Sequence, residues 1–299
     1  MKQSKFATRA AALLLALAMT LSFAACGERG SESSTSEPSA SSEPSTSSQS
    51  SVPEFVNPLG DVDLSAISEP VTPSEDLLTK INDAYNVNND VIGWLSIPDT
   101  NVDDPILYHP TDNLYYERRN LSGGYDWYGC YWADYECVFG DRNSISQNTI
   151  IYGHSMDDNP DGLKFSQLKK FLDIDFAKNH PYLYFSTPED DMTWKIFFVG
   201  YVDTKLAYNY PEMKTEDYQA LLDELDARNQ YEYDVDVNTS DKILLLSTCT
   251  YPTGYSNPTI DEATKFLVVA RLVRPGEATP DTVEITANPS PKKPNNGLN

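Results

Sequence analysis

Three side chains that could share chemistry stand at the ends of separate apolar runs. Lys242-Ile-Leu-Leu-Leu-Ser-Thr-Cys249 reads as a buried strand that ends in hydroxyl residues and one thiol. A Pro/Gly/Ser/Asn loop, 252–258, follows it. A thiol at the mouth of a rigid strand has the fixed position and open approach that a nucleophile needs; the same run also suits a cysteine packed as a small hydrophobe. Asn148-Thr-Ile-Ile-Tyr-Gly-His154 is a second such strand, closed by a histidine before a polar loop. Cys249 and His154 together make a credible nucleophile and general acid/base pair. His109 and His180 each precede a proline in what reads as a turn, and carry no role here.

The cation comes from the next strand, Lys265-Phe-Leu-Val-Val-Ala-Arg-Leu-Val273. Consecutive strands commonly pair antiparallel, which sets Lys265 opposite Cys249 and Arg271 near Ile243. The two cations are then separated by roughly 20 Å of strand. Lys265 is expected to serve the thiol as a point charge, and Arg271 to be a rim or solvent-facing charge. Asp157, Asn159, Asp161 and Gly162 fit the opening of a calcium loop, but Leu168 occupies the closing glutamate position, so a solvated loop is expected and no metal. No CxxC or His-rich zinc pattern and no cofactor motif is present.

Several elements must hold these ends in place. Ser74 is a plausible N-cap for an amphipathic helix with apolar residues at 77, 78, 81 and 85. Short strands are expected at Asp90–Ile97, Pro105–Tyr108, Tyr128–Asp134, Thr149–Tyr152, Tyr182–Ser186 and Met192–Val202. Helical spacing marks Leu163–Asn179 and Thr215–Asn229. Many short strands with helices inserted suggest a barrel or sandwich core.

At the amino end, Lys2, Lys5 and Arg9 precede the apolar run Ala11–Ala25, a secretory signal. It ends in Phe23-Ala-Ala-Cys26-Gly, which resembles a bacterial lipobox and implies cleavage before Cys26 with a lipid on its sulfur; Phe23 departs from the usual aliphatic residue, and cleavage without lipid is the alternative. Nothing after Cys26 is apolar enough to span a bilayer. The chain is thus divided into a signal (1–25), a disordered Ser/Glu/Pro tether (26–73), one domain (74–274) and a disordered tail (275–299). The net charge of −23 makes nucleic acid a poor partner. Cys130 and Cys137 could form a local disulfide only if the chain reverses between them.

The strands around His154 and Cys249, with Val91-Ile-Gly-Trp-Leu-Ser-Ile-Pro, Lys178-Asn-His-Pro-Tyr-Leu-Tyr-Phe and Asp241-Lys-Ile-Leu, resemble class B sortases in order and spacing from about Ile81 to Arg274. The resemblance implies a mainly β fold, an eight-stranded barrel with an N-terminal helix and inserted helices. It implies a transpeptidase on the outer face of a Gram-positive cell membrane. Cys249 would attack the threonine carbonyl of a sorting motif on a surface protein or pilin, and His154 would protonate the leaving amine. An amine of a cell-wall precursor or a pilin lysine would resolve the thioacyl enzyme. Ser247, Thr248 and Thr250 would line the substrate. Lys265 stands where the family carries an arginine, and a cleaved, lipid-modified N-terminus would be a second departure, from the family's usual uncleaved helix. A degenerate relative that binds a peptide or wall ligand without turnover is the alternative.

Overall fold

The computed structural model describes residues 68–298; the signal, Cys26 and the tether up to residue 67 lie outside them. Ser74 Oγ accepts a hydrogen bond from Leu77 N and caps α1 (Glu75–Val87), whose Leu77, Ile81 and Ala84 pack on Val91, Leu107 and Trp132. Eight strands close a barrel: β1 (Val91–Ser96), β2 (Asp103–Tyr108), β3 (Tyr131–Ala133), β4 (Asn148–Tyr152), β5 (Tyr182–Ser186), β6 (Thr193–Asp203), β8 (Ile243–Cys249) and β9 (Thr264–Leu272). Around the barrel they run β1-β2-β3-β4-β8-β9-β6-β5. Two pairs are parallel, β2 with β3 and β4 with β8.

The central strands read as unbroken apolar runs because both faces are covered. Leu244 and Leu246 of β8 point into the barrel with Ile151, Phe266 and Val268. Ile243 and Leu245 point outward, under Tyr218, Leu221 and Leu225 of α3 (Thr215–Arg228). This double burial makes β8 a stiff platform for whatever stands at its end.

Three expectations are corrected and one open question is settled. Leu163–Asn179 is not one helix: a 3-10 segment, Lys164–Leu172, gives way at Asp173, whose carboxylate accepts from Asp175 N and Phe176 N and starts α2 (Ile174–Asn179) anew. The end of the expected tether is ordered, with Val71 N donating to Asp190 Oδ1 and Asp191 N donating to Val71 O. The tail is also ordered: β10 (Ile285–Ala287) pairs with β7 (Tyr231–Tyr233), because Val283 and Ile285 find apolar cover against the core. Cys130 and Cys137 are free: they flank β3 and pack into different apolar clusters, one under α1 and one under α3. Burial pushes their thiols up, to about 11 and about 12 respectively.

Candidate active site

The parallel β4–β8 pair brings two distant strand ends together. Tyr152 is in register with Ser247, so His154 and Cys249 each follow two residues beyond a matched pair at the same end of the barrel. Gly153 N donates to Ser247 O, and Thr248 Oγ1 donates to Gly153 O at 2.7 Å, which ties the two ends. A Cβ at Gly153 would sit 2.6 Å from Phe165 and 2.7 Å from Tyr131, so only glycine lets the chain pass this close.

On the other side, β9 pairs antiparallel with β8, matching Cys249 to Lys265 and Ile243 to Arg271. Lys265 Nζ lies 3.4 Å from Cys249 Sγ. Both residues border a cleft of about 300 Å³ whose far wall is Tyr251, Tyr255, Pro258 and Glu262. Arg271 is not a rim charge. It is 1% exposed, and Glu277 folds back to grip it through two bonds of 2.7 and 2.8 Å.

His154 is nearly buried beside Trp132, and its Nε2 lies 2.8 Å from the carbonyl of Glu117 in the loop between β2 and β3. A carbonyl can only accept, so Nε2 carries the proton and Nδ1 is left as the basic nitrogen. Burial lowers the imidazole below its ordinary value and Arg118 adds to this, against the opposing pull of the Glu117 carbonyl and carboxylate. No hydrogen bond joins His154 to Cys249 among the described residues.

Ser247 and Thr248 are buried and their hydroxyls are engaged internally, Ser247 with Tyr208 Oη at 3.1 Å and Thr248 with Gly153. Thr250 alone of the three expected substrate contacts borders the cleft. Its hydroxyl is 2.9 Å from both oxygens of Asp158, which also accepts Tyr251 N at 2.7 Å. Behind Asp158 lies Lys169, 2% exposed in its side chain, with Nζ 3.1 Å from Asp158 Oδ1 and 4.3 Å from the Phe266 ring centroid. Its alignment with Asp158 is that of an ion pair and not of a good hydrogen bond. Burial lowers its pKa, and Asp158 opposes that shift. Tyr251 Oη on Ser155 O and Tyr255 Oη on Met156 O complete the joint between the loop after His154 and the loop after Cys249.

Sequence reasoning missed Asp158, Lys169 and Glu117. The one available signal was Lys169, a charge set among Phe165, Leu168 and Phe171 on a segment with helical spacing. The 157–162 loop is held by its own turns, Asn159 N to Asp157 Oδ1 and Asp161 N to Asn159 Oδ1. Among the described residues no three His, Cys, Asp or Glu side chains are grouped as metal ligands.

The Asp158–Lys169 pair sets a stability test. Asp158→Ala leaves a buried ammonium without its counter-ion and is expected to cost about 3–5 kcal/mol of unfolding free energy. Lys169→Met fills the same space without a charge and is expected to cost less. The double substitution should recover most of the Asp158→Ala loss in denaturant titrations; full additivity would show that the two side chains do not interact.

No family model matches the chain. Sortase B of Listeria monocytogenes is 34% identical over 173 residues, 57% of this chain and 67% of that protein. Sortase B of Staphylococcus aureus is 28% identical over 216 residues, 71% of this chain and 79% of that protein. The crystal structure of sortase B from B. anthracis in complex with AAEK1 superposes with a TM-score of 0.54 at 30% identity, over 65% of this chain and 84% of that one. The closed eight-stranded barrel is common to them in fold, and the level of identity over two thirds of a curated relative places this chain in the sortase B family.

Proposed function

We propose that the protein is a cell-surface transpeptidase acting through a thioacyl enzyme on Cys249. The observation that carries this reading is the ammonium of Lys265, 3.4 Å from the Cys249 sulfur at the edge of an open cleft, with His154 at the end of the adjoining strand. The thiolate adds to the threonine carbonyl of a sorting motif, and Lys265 faces the negative charge that passes from sulfur to oxygen. Collapse breaks the peptide bond, and the imidazolium of His154 protonates the departing amine. A second amine, from a cell-wall precursor or a pilin lysine, then attacks the thioester and loses its proton to the imidazole. Cys249 leaves as it began, and one amide replaces another.

Quenched peptides bearing NPxTx-type or LPxTG-type motifs, offered with and without an amine, test the reading. Amine-dependent joining supports it; binding without any turnover favours a degenerate, non-catalytic relative, the reading that Lys265 in place of arginine would suit. The rate is expected to be bell-shaped in pH. Because burial lowers the imidazole, the limb owed to His154 should fall on the acid side of an ordinary histidine and vanish in His154→Ala. A His154→Ala enzyme that keeps most of the joining rate would remove the residue from the mechanism.

The proposed location rests on the sequence before residue 68. A lipid on Cys26 would hold the domain outside the membrane at the end of an acidic Ser/Glu/Pro tether. Cys26→Ser is expected to release the processed protein from membranes and leave the activity of the domain intact. Equal membrane retention of the processed variant would argue against the lipid.

A further inference from the structure

The last residues of the chain reach the back of the cleft. After β10 the tail crosses α3, where Lys292 Nζ meets Glu224 at 2.6 Å and Arg228 Nη1 donates to Lys293 O. Asn295 N then donates to Asp203 Oδ2 at the end of β6. Asn296 Nδ2 lies 2.6 Å from Thr264 Oγ1 and 3.2 Å from Ala263 O. Thr264 is wholly buried, and its hydroxyl donates to Ile260 O at 2.6 Å, so it meets the Asn296 amide as an acceptor. These bonds clasp the junction between α4 (Pro258–Glu262) and β9. Pro258, Glu262 and Lys265 on either side of that junction border the cleft with Cys249.

We infer that Asn296 is a positioning residue, which fixes the α4–β9 junction from behind and thereby holds Lys265 against Cys249. The geometry favours this over a role in global stability. Asn296 sits at the far end of the tail, beyond the β10–β7 pairing and the Glu277–Arg271 pair that anchor it to the barrel. Its amide adds two donors to a junction otherwise held by local hydrogen bonds, by Thr204 N on Ala263 O and by the pairing of Thr264 with Asp203 of β6. A shift of a fraction of an ångström at Thr264 passes directly to its neighbour Lys265, and misplacement on that scale is costly to a reacting pair.

The role given to Lys265 rests on the proposed function, so the test has readouts that need no turnover. In the full chain, Asn296→Ala and the isosteric Asn296→Asp, which loses the amide donor, are compared with wild type. Both variants are expected to speed hydrogen exchange of amides 259–264 by about tenfold while exchange of β8 stays slow. They should lower kcat for amine-dependent joining by about tenfold, with KM and the unfolding temperature little changed. Lys292→Ala, which removes only an exposed ion pair, should match wild type in both. Alkylation of Cys249 should slow in both variants as Lys265 moves off the sulfur; unchanged exchange at 259–264 overturns the inference, and so does faster exchange with an unchanged rate of Cys249 alkylation. Failure of every peptide with the wild-type enzyme would count against the proposed function, and exchange and alkylation would still decide this one.

Discussion

Lys265→Ala is expected to abolish acyl-enzyme formation, while Lys265→Arg keeps or raises it. In register with Cys249 and 3.4 Å from its sulfur, Lys265 Nζ is the side-chain cation that the strand pairing delivers to the thiol. In the proposed attack charge would move from sulfur to the carbonyl oxygen, and a cation already fixed beside the sulfur would need little reorganisation to meet it. Loss of one such donor typically costs about 3–4 kcal/mol, a hundred- to a thousandfold in rate. Arginine keeps the charge and adds a planar two-pronged donor where lysine offers a point charge, which is why acyl-enzyme formation should be kept or raised. Single-turnover kinetics with a peptide substrate read the effect. A Lys265→Ala enzyme that acylates at the wild-type rate would overturn both the role and the geometry behind it.

Arg271→Ala should act on the fold and not on the chemistry. The guanidinium is about 20 Å of strand away from Cys249. It is buried and clamped by Glu277, which Lys195 also meets at 3.2 Å. Arg271 holds the Glu277 carboxyl down to about 2 against the opposing effect of burial. Removing the arginine takes two charge-assisted bonds from Glu277, which keeps Lys195 as a second cation, an expected loss of about 2–3 kcal/mol and roughly 4–12 °C in unfolding temperature. The pH sign follows from the lowered carboxyl. The pair stabilises the protein fully above the ordinary glutamate range, and its contribution fades as pH falls through about 2. An Arg271→Ala protein of wild-type stability but without activity would reverse the assignment of the two cations.

Strand ends were legible in the sequence wherever an apolar run met a polar loop, which is why Cys249 and His154 stand out. The β8–β9 hairpin was legible too, because sequence neighbours pair antiparallel and the register then follows by counting. The parallel β4–β8 pairing had no local signal, since about ninety residues separate the strands, and only the closed barrel brings His154 and Cys249 to one end. Arg271 looked like a surface charge because its partner, Glu277, lies in a Pro/Gly-flanked segment with no periodicity. The same blindness hid β10, three residues long and stabilised by apolar contacts with a distant core. Asp158 and Lys169 were opaque for a related reason: a buried ion pair is spread over a loop and a 3-10 segment, and neither half is unusual alone.

The most direct measurement of the central claim is the mass of the protein after brief exposure to sorting-motif peptides without an amine. A gain equal to the acyl half of the peptide is expected, mapped to Cys249, discharged by an added amine and absent in Cys249→Ala. Joined product formed at the wild-type rate by Cys249→Ala, or an adduct carried by Cys130 or Cys137 instead, would contradict it.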